Sequence, residues 1–368
     1  MKGSIGIIRA IPAVVTLLLF LTVTALSAQT LEEEVNVGKN GHKYISTHFG
    51  LYKNKKIQDY VNGIGQKLLE SIDDPEFIYH FYVLEDPMLN AFALPGGYIY
   101  VTTGMLAYID SEAALAGIIG HEIGHVIGHH GIKQMKKKMG DSLLVFAGLA
   151  GSVATGQSAN SSVAWVVATS QISQMKQLGY GRDLELQADE LGMIYSYEAG
   201  YDPRDSSQLF QTLKFKERVS GVGYHGFSAT HPDTLERIIR SQEKANILVN
   251  RGKVVGSDRE KYIKAIEGLS YGRFDRRKRG KPEFVLELYT TVAGDTLRGI
   301  ATSKTGDESM AFEIAVMNAM RPNDKLETGA LLKVPVLRKG GASVTDIGSD
   351  KSATKSKKGK GSSKKQGQ

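Results

Sequence analysis

The stretch Ser111-Glu112-Ala-Ala-Leu-Ala-Gly-Ile-Ile-Gly120-His121-Glu122-Ile-Gly-His125 decides how this chain is read. Asp110 or Ser111 can cap a helix whose apolar residues run through His125 toward Gly131. In such a helix two imidazoles four residues apart stand about 6 Å apart along the axis and nearly on one face. His121 and His125 therefore set two sides of a tetrahedral metal site, and Glu122 beside them can act as general base on a water held there. The alternative, two satisfied surface histidines, fits an apolar and well-capped helix poorly.

A third ligand has two candidate sources. The extended pattern His-Glu-x-x-His-x-x-Gly-x-x-His is met at Gly128 but fails at its last position, which is Gly131. His129 lies roughly 12 Å along the axis from His121, too far to share its metal, and with His130 it reads as a polar helix-end residue. The other source is a carboxylate on a second helix, and Arg182-Asp-Leu-Glu185-Leu-Gln-Ala-Asp189 supplies one about sixty residues downstream. If Glu185 binds metal, Asp189 projects from the same face one turn later and can accept the free ring N–H of a ligating His. Taken alone, this segment reads as an ordinary charged helix face.

With 368 residues and 41% apolar content, the chain can bury a full core in more than one domain. Cysteine is absent, which excludes disulfides, thiolate catalysis and Cys-type zinc sites, so a metal must be held by His and carboxylate. The formal charge of +7 resides at the ends: residues 339–368 hold eight Lys against two Asp, Lys2 and Arg9 lie near the start, and the body is close to neutral. The basic run from Arg273 to Lys281 reads as an interdomain linker, so nucleic acid is not expected as a partner. Residues 1–28 place Lys2 and Arg9 before an apolar run from Ile11 to Leu26 and small residues at Ser27 and Ala28, the pattern of a signal peptide. That run is shorter than the roughly 20 residues of a bilayer span. The mature chain is thus expected to be exported to the periplasm or cell envelope, with no stable membrane span.

Helical spacing predicts helices over Leu31 to Leu51 and Ile57 to Ile72, and further ones over Leu184 to Glu198, Ser206 to Val219 and Thr234 to Leu248. Phe77 to Leu84 and Tyr98 to Val101, the latter beyond the turn Pro95-Gly96-Gly97, suggest a small sheet. Ser142 to Ala154 and Val163 to Thr169 read as a buried helical hairpin. The expected division is a signal peptide at 1–28, a catalytic domain at 29–270, a basic linker at 271–283, a small domain at 284–338 and a Lys-rich disordered tail at 339–368.

The His-Glu-Ile-Gly-His motif, Glu185-Leu-Gln-Ala-Asp189 and Asn90-Ala-Phe-Ala-Leu-Pro-Gly-Gly97 together resemble the HtpX and BepA type of gluzincin metallopeptidases, peptidase family forty-eight, in its soluble periplasmic branch. The resemblance covers residues 31–250 and implies an α+β fold, a mainly helical zincin domain with a small sheet. It implies one Zn2+ per chain on His121, His125 and Glu185, with Asp189 orienting a ligand. The Pro-Gly-Gly segment would lead into an edge strand beside the site, so that Gly96, Gly97, Tyr98, Ile99 and Tyr100 bind an extended substrate. Thr230-His231-Pro232 resembles the family's Thr-His-Pro segment, which makes His231 a transition-state donor or a displaceable fourth ligand. Tyr289 to Ala301, with Asn318, Asp324 to Leu326, Gly329 and Leu332 to Pro335, resembles a LysM module, a small strand, two helices, strand unit. That likeness maps N-acetylated glycan contacts, and so a peptidoglycan partner, onto Gly294, Asp295, Thr296 and Leu297 and onto Pro322 to Leu326. The function implied is an exported zinc endopeptidase acting on proteins or peptides in envelope quality control. A wall-associated binding or chaperone-like protein with a latent peptidase fold is the alternative.

Overall fold

The computed structural model describes residues 31–138, 181–207, 231, 235–272 and 282–338. The signal segment, the hairpin of 142–169, the helix expected beyond residue 207, the basic run 273–281 and the tail lie outside the described residues. The described chain begins with α1 (31–48) and α2 (Lys55–Leu69), and passes through β1 (His80–Leu84), β2 (Ala91–Leu94) and β3 (Tyr98–Thr102). It continues through α3 (Thr103–Tyr108), α4 (Glu112–Ile127) and α5 (His130–Lys138), then α6 (Arg182–Glu198), α7 (Leu235–Val249) and α8 (Arg259–Ala265). A second sheet and helix pair follows: β4 (Ser270–Tyr271), β5 (Phe284–Thr290), α9 (Leu297–Thr305), α10 (Met310–Met317) and β6 (Leu331–Leu337). Among the described residues, no helix is long and apolar enough to cross a membrane.

Alternation of side chains sorts the first sheet into two faces. Phe81, Val83, Ala91, Ala93, Ile99 and Val101 join the main core with residues of α2 and α4. Leu84, Leu94 and Tyr100 turn the other way and pack with Ile45 of α1, where the His42 ring stacks 4.5 Å from that of Tyr82. The strand order is β1-β3-β2, with β3 parallel to β1 and antiparallel to β2. This corrects the expectation of an edge strand at Gly96, Gly97, Tyr98, Ile99 and Tyr100. Asn90 to Leu94 is itself a strand, and the turn at Gly96 and Gly97, with φ of 75° and 92°, folds it back onto β3. Both ladders of β3 are therefore used. The outer side of β1 is also covered, because the Gln58 amide donates to Phe81 O and accepts from Val83 N. Thr102 N donates to Asn90 O, so the antiparallel alternation turns the backbone groups of Ala91 and Ala93 away from β3, and β2 is the edge strand.

Helix α4 starts where expected, with the Ser111 side chain accepting from Ala114 N. It stops at Ile127 rather than running on toward Gly131, since His129 adopts φ 51° and α5 begins anew at His130. Among the described helices, α4 packs most extensively against α6. A Cβ at Gly120 would stand 2.9 Å from Gly192 O, one at Gly192 would stand 2.6 Å from His121 N, and one at Gly124 would stand 3.0 Å from Ala188 Cα. The two backbones thus touch across a seam of Gly and Ala, nearer than larger side chains would permit.

In the carboxy-terminal unit, residues 284–337 run strand, helix, helix, strand, and β5 pairs antiparallel with β4 and β6. Leu297, Ile300, Ile314, Leu332 and Val334 form a small core of their own, while Leu286, Val316 and Met317 join the main core. Lys333 is fully buried, and its ammonium donates to the carbonyls of Ala107 and Ile109 at the end of α3. Burial lowers the Lys333 pKa to about 8, with Asp110 opposing the shift.

Gly192→Ala is expected to destabilise the chain by about 1–3 kcal/mol, the range for overpacking a closed interior. Gly63→Ala, on α2 where a Cβ meets nothing within 4 Å, should instead stabilise by roughly 0.5–1 kcal/mol. Urea unfolding of both variants measures the contrast.

Candidate metal centre

The α4–α6 seam brings His121, Glu122 and His125 opposite Glu185 and Asp189, and His231 closes the group from outside either helix. All six are buried. One donor atom from each of His121, His125, Glu185 and His231 lies within 4.8 Å of the others. His121 Nε2 is 3.0 Å from His125 Nε2 and 3.2 Å from His231 Nδ1. Glu185 comes to 3.1 Å from His231 Nδ1, 3.5 Å from His125 Nε2 and 3.6 Å from His121 Nε2. A tetrahedral ion with bonds of about 2.0–2.1 Å has edges of about 3.3–3.4 Å, and these separations straddle that value.

The protons argue the same way. His121 Nδ1 lies 2.8 Å from Asp189 Oδ1, and a carboxylate there calls for the ring proton on Nδ1. Nε2 then presents a lone pair toward His125 Nε2. A lone pair so directed is met either by a proton on His125 Nε2 or by a cation held among the donors. The donor set fits a metal ion favouring nitrogen and oxygen ligands in tetrahedral array.

Sequence reasoning gave Arg237 no role, yet it anchors the carboxylates. Its guanidinium reaches Asp189 through Nε at 2.7 Å and Nη2 at 2.8 Å, and Glu185 through Nη1 at 2.8 Å. Burial would raise the Asp189 carboxyl, but Arg237 and His121 hold it well below the usual carboxylate range. The Glu122 carboxyl goes the other way: burial pushes it up, and His231, His121 and the Ala93 N–H only partly offset this. Burial also drives His125 well below the ordinary imidazole value, helped by His121 and His231.

His130 corrects a further expectation. It is no polar helix-end residue: it is fully buried, with Nδ1 2.8 Å from His125 Nδ1 and Nε2 3.0 Å from Gln187 Oε1. The break at Gly128 and His129 turns it inward, which no uninterrupted helix would do. His129 instead bridges Glu34 of α1 at 2.9 Å and Glu76 at 3.1 Å. Of the residues assigned to substrate, Ile99 and Tyr100 are buried in the central strand. It is β2 that packs against α4 beside the centre, where the Ala93 backbone amide favours the charged form of Glu122. The residues assigned to glycan have internal partners: Asp295 accepts from Tyr289 Oη and Val292 N, Thr296 caps α9, and Leu297 lies in the small core. Gly294 is in the turn before them with φ 90°.

Residues 55–245, more than half of the chain, match the model described as Peptidase family M48. The chain is 24% identical over 241 residues to the beta-barrel assembly-enhancing protease of Escherichia coli (strain K12), covering 65% of this chain and 49% of the relative. It is 24% identical over 217 residues to the mitochondrial metalloendopeptidase OMA1 of Schizosaccharomyces pombe, covering 58% and 61% respectively. With the human mitochondrial metalloendopeptidase OMA1 it shares 30% identity over 160 residues, 43% of this chain and 30% of the relative. The chain spans about half the length of the beta-barrel assembly-enhancing proteases it matches.

Arg237→Met should destabilise the metal-free protein by about 3–5 kcal/mol, because two buried carboxylates lose their counter-charge. Adding zinc should recover part of that loss. Thermal melting with chelator and with zinc makes the comparison.

Proposed function

The chain belongs to peptidase family M48, and from that premise we propose that it is a zinc-dependent endopeptidase acting on protein or peptide substrates in envelope protein quality control. The observation carrying this reading is the convergence of His121, His125 and Glu185 beside a buried Glu122. Zinc, when bound by those three residues, supplies the Lewis acidity that polarises a scissile carbonyl and acidifies water. Glu122 is the base: burial raises its carboxyl toward the range in which it can take a proton from water and return it to the leaving amine. No covalent enzyme intermediate is involved. Asp189 and Arg237 hold the ligands in place, and the outward backbone of Ala91 with the Ala93 carbonyl on β2 offers an extended substrate a strand to pair with, the Ala93 N–H being turned toward Glu122.

His231 stands in two places at once. Its Nδ1 is among the four donors, and its Nε2 is 3.4 Å from Glu122 Oε1. A catalytic zinc site keeps one position open, so this arrangement is a closed state in which His231 occupies the room that water and substrate need. Export through the amino-terminal segment, and a LysM-like fold for residues 284–338, complete the proposal. The support for the latter is the order strand, helix, helix, strand.

Glu122→Gln should lower casein hydrolysis by about 10²–10⁴-fold while metal analysis still finds one zinc per chain; full activity in that variant would sink the mechanism. His231→Ala should raise basal hydrolysis. A fall instead would make His231 a transition-state donor.

A further inference from the structure

The turn between α4 and α5 returns His130 beneath His125, five residues back along the chain. The seat is tight: a Cβ at Gly128 would stand 2.2 Å from His130 Nε2, so the ring fits because residue 128 has no side chain. The two Nδ1 atoms, 2.8 Å apart, make a hydrogen bond only if one carries the proton and the other a lone pair.

Both ends of this chain of contacts set the direction. At one end, His125 Nε2 lies 3.0 Å from His121 Nε2 and 3.5 Å from Glu185 Oε1, inside the donor cluster. To act as a ligand it must show a lone pair there, which places the His125 proton on Nδ1. At the other end, Gln187 Oε1 stands 3.0 Å from His130 Nε2, and a carbonyl can only accept. His130 is then protonated on Nε2, and its Nδ1 is the lone pair that meets the His125 N–H. Reversing the Gln187 amide would reverse every bond in the series and aim an N–H from His125 into the cluster.

We propose that His130 is a positioning residue for His125, accepting its Nδ1–H, and that Gln187 holds His130 in the one tautomer able to do so. This rests on reading the cluster as a metal centre. The two α4 ligands are thereby oriented by different chemistries, His121 by the carboxylate of Asp189 and His125 by a neutral imidazole. Gln187 lies between Glu185 and Asp189 in sequence, so α6 sends support to both.

Two measurements on the full-length chain test it. In the zinc-loaded protein, carrying Glu122→Gln to prevent self-cleavage, long-range proton–nitrogen spectra of the histidine rings should show His125 protonated on Nδ1 and His130 on Nε2. A His130 ring protonated on Nδ1 overturns the proposal. In competition with a chromophoric chelator, His130→Phe should release zinc about 10–100-fold more readily, the usual effect of losing a partner behind a metal ligand. His130→Asn places an amide oxygen near the lost Nδ1 and should restore most of the retention. Equal loss in the two variants would mean that the ring merely fills space, and no loss in either would mean that it does nothing for His125; both outcomes overturn the proposal. An unaltered chain that binds no zinc would defeat the metal reading itself, and that result is visible before any variant at 130 is made.

Discussion

Backbone contact between α4 and α6 is the constraint on which the centre depends. Helices ordinarily pack 8–10 Å apart, at a distance set by the side chains between them. Here Gly120 and Gly124 face Gly192 and Ala188 with backbone atoms almost touching. The approach matters because ligand side chains have fixed reach: two imidazoles from one helix and a carboxylate from the other must bring donor atoms to little more than 3 Å. A single larger residue on the seam would push Glu185 out of range of both histidines, although no ligand had changed. The small residues of the motif are part of the site for this reason.

The second constraint is charge. Glu122, Glu185 and Asp189 are buried together with several imidazoles and a guanidinium. Isolated, each carboxylate would pay a heavy desolvation cost. Arg237 contacts two of them at three short distances; against burial, Arg237 and His121 keep the Asp189 carboxyl low, while His231 does most to keep that of Glu185 low, with His121 and Arg237 adding to it. Glu122 is left out of that arrangement, and its carboxyl rises. One helix pair therefore contains carboxylates held ready to bind by the cationic and imidazole groups around them, and another, Glu122, whose carboxyl burial raises toward taking a proton.

Much of this was legible in the residues. Spacing alone placed His121, Glu122 and His125 on one helix, and the failed register at Gly131 sent the search for a third ligand to Glu185, where the donor atoms indeed meet. Three features were not legible, each because it depends on a local departure from a regular element. Asn90 to Leu94 is too short and too rich in alanine to signal a strand, and the edge position that the resemblance implies for β3 belongs to β2. His130 was placed by extending a helix that a left-handed residue at 129 ends. Arg237 sits in an ordinary amphipathic helix, and only the fold shows that its face of α7 meets the carboxylates of α6.

Those support contacts also set His121, His125 and Glu185 apart from His231. His121 is backed by Asp189, His125 by His130, and Glu185 by Arg237, and all three ligands belong to long helices joined at the glycine seam. His231 belongs to no helix or strand, and it stands 3.1–3.4 Å from Glu185, His121 and Glu122. If one ligand yields to let substrate in, His231 is the candidate: burial works against its protonation, but the carboxylates of Glu185 and Glu122 that it covers raise its proton affinity overall. On the proposed reading, a centre built this way would keep three donors in place for the metal, with His231 as the part that opens.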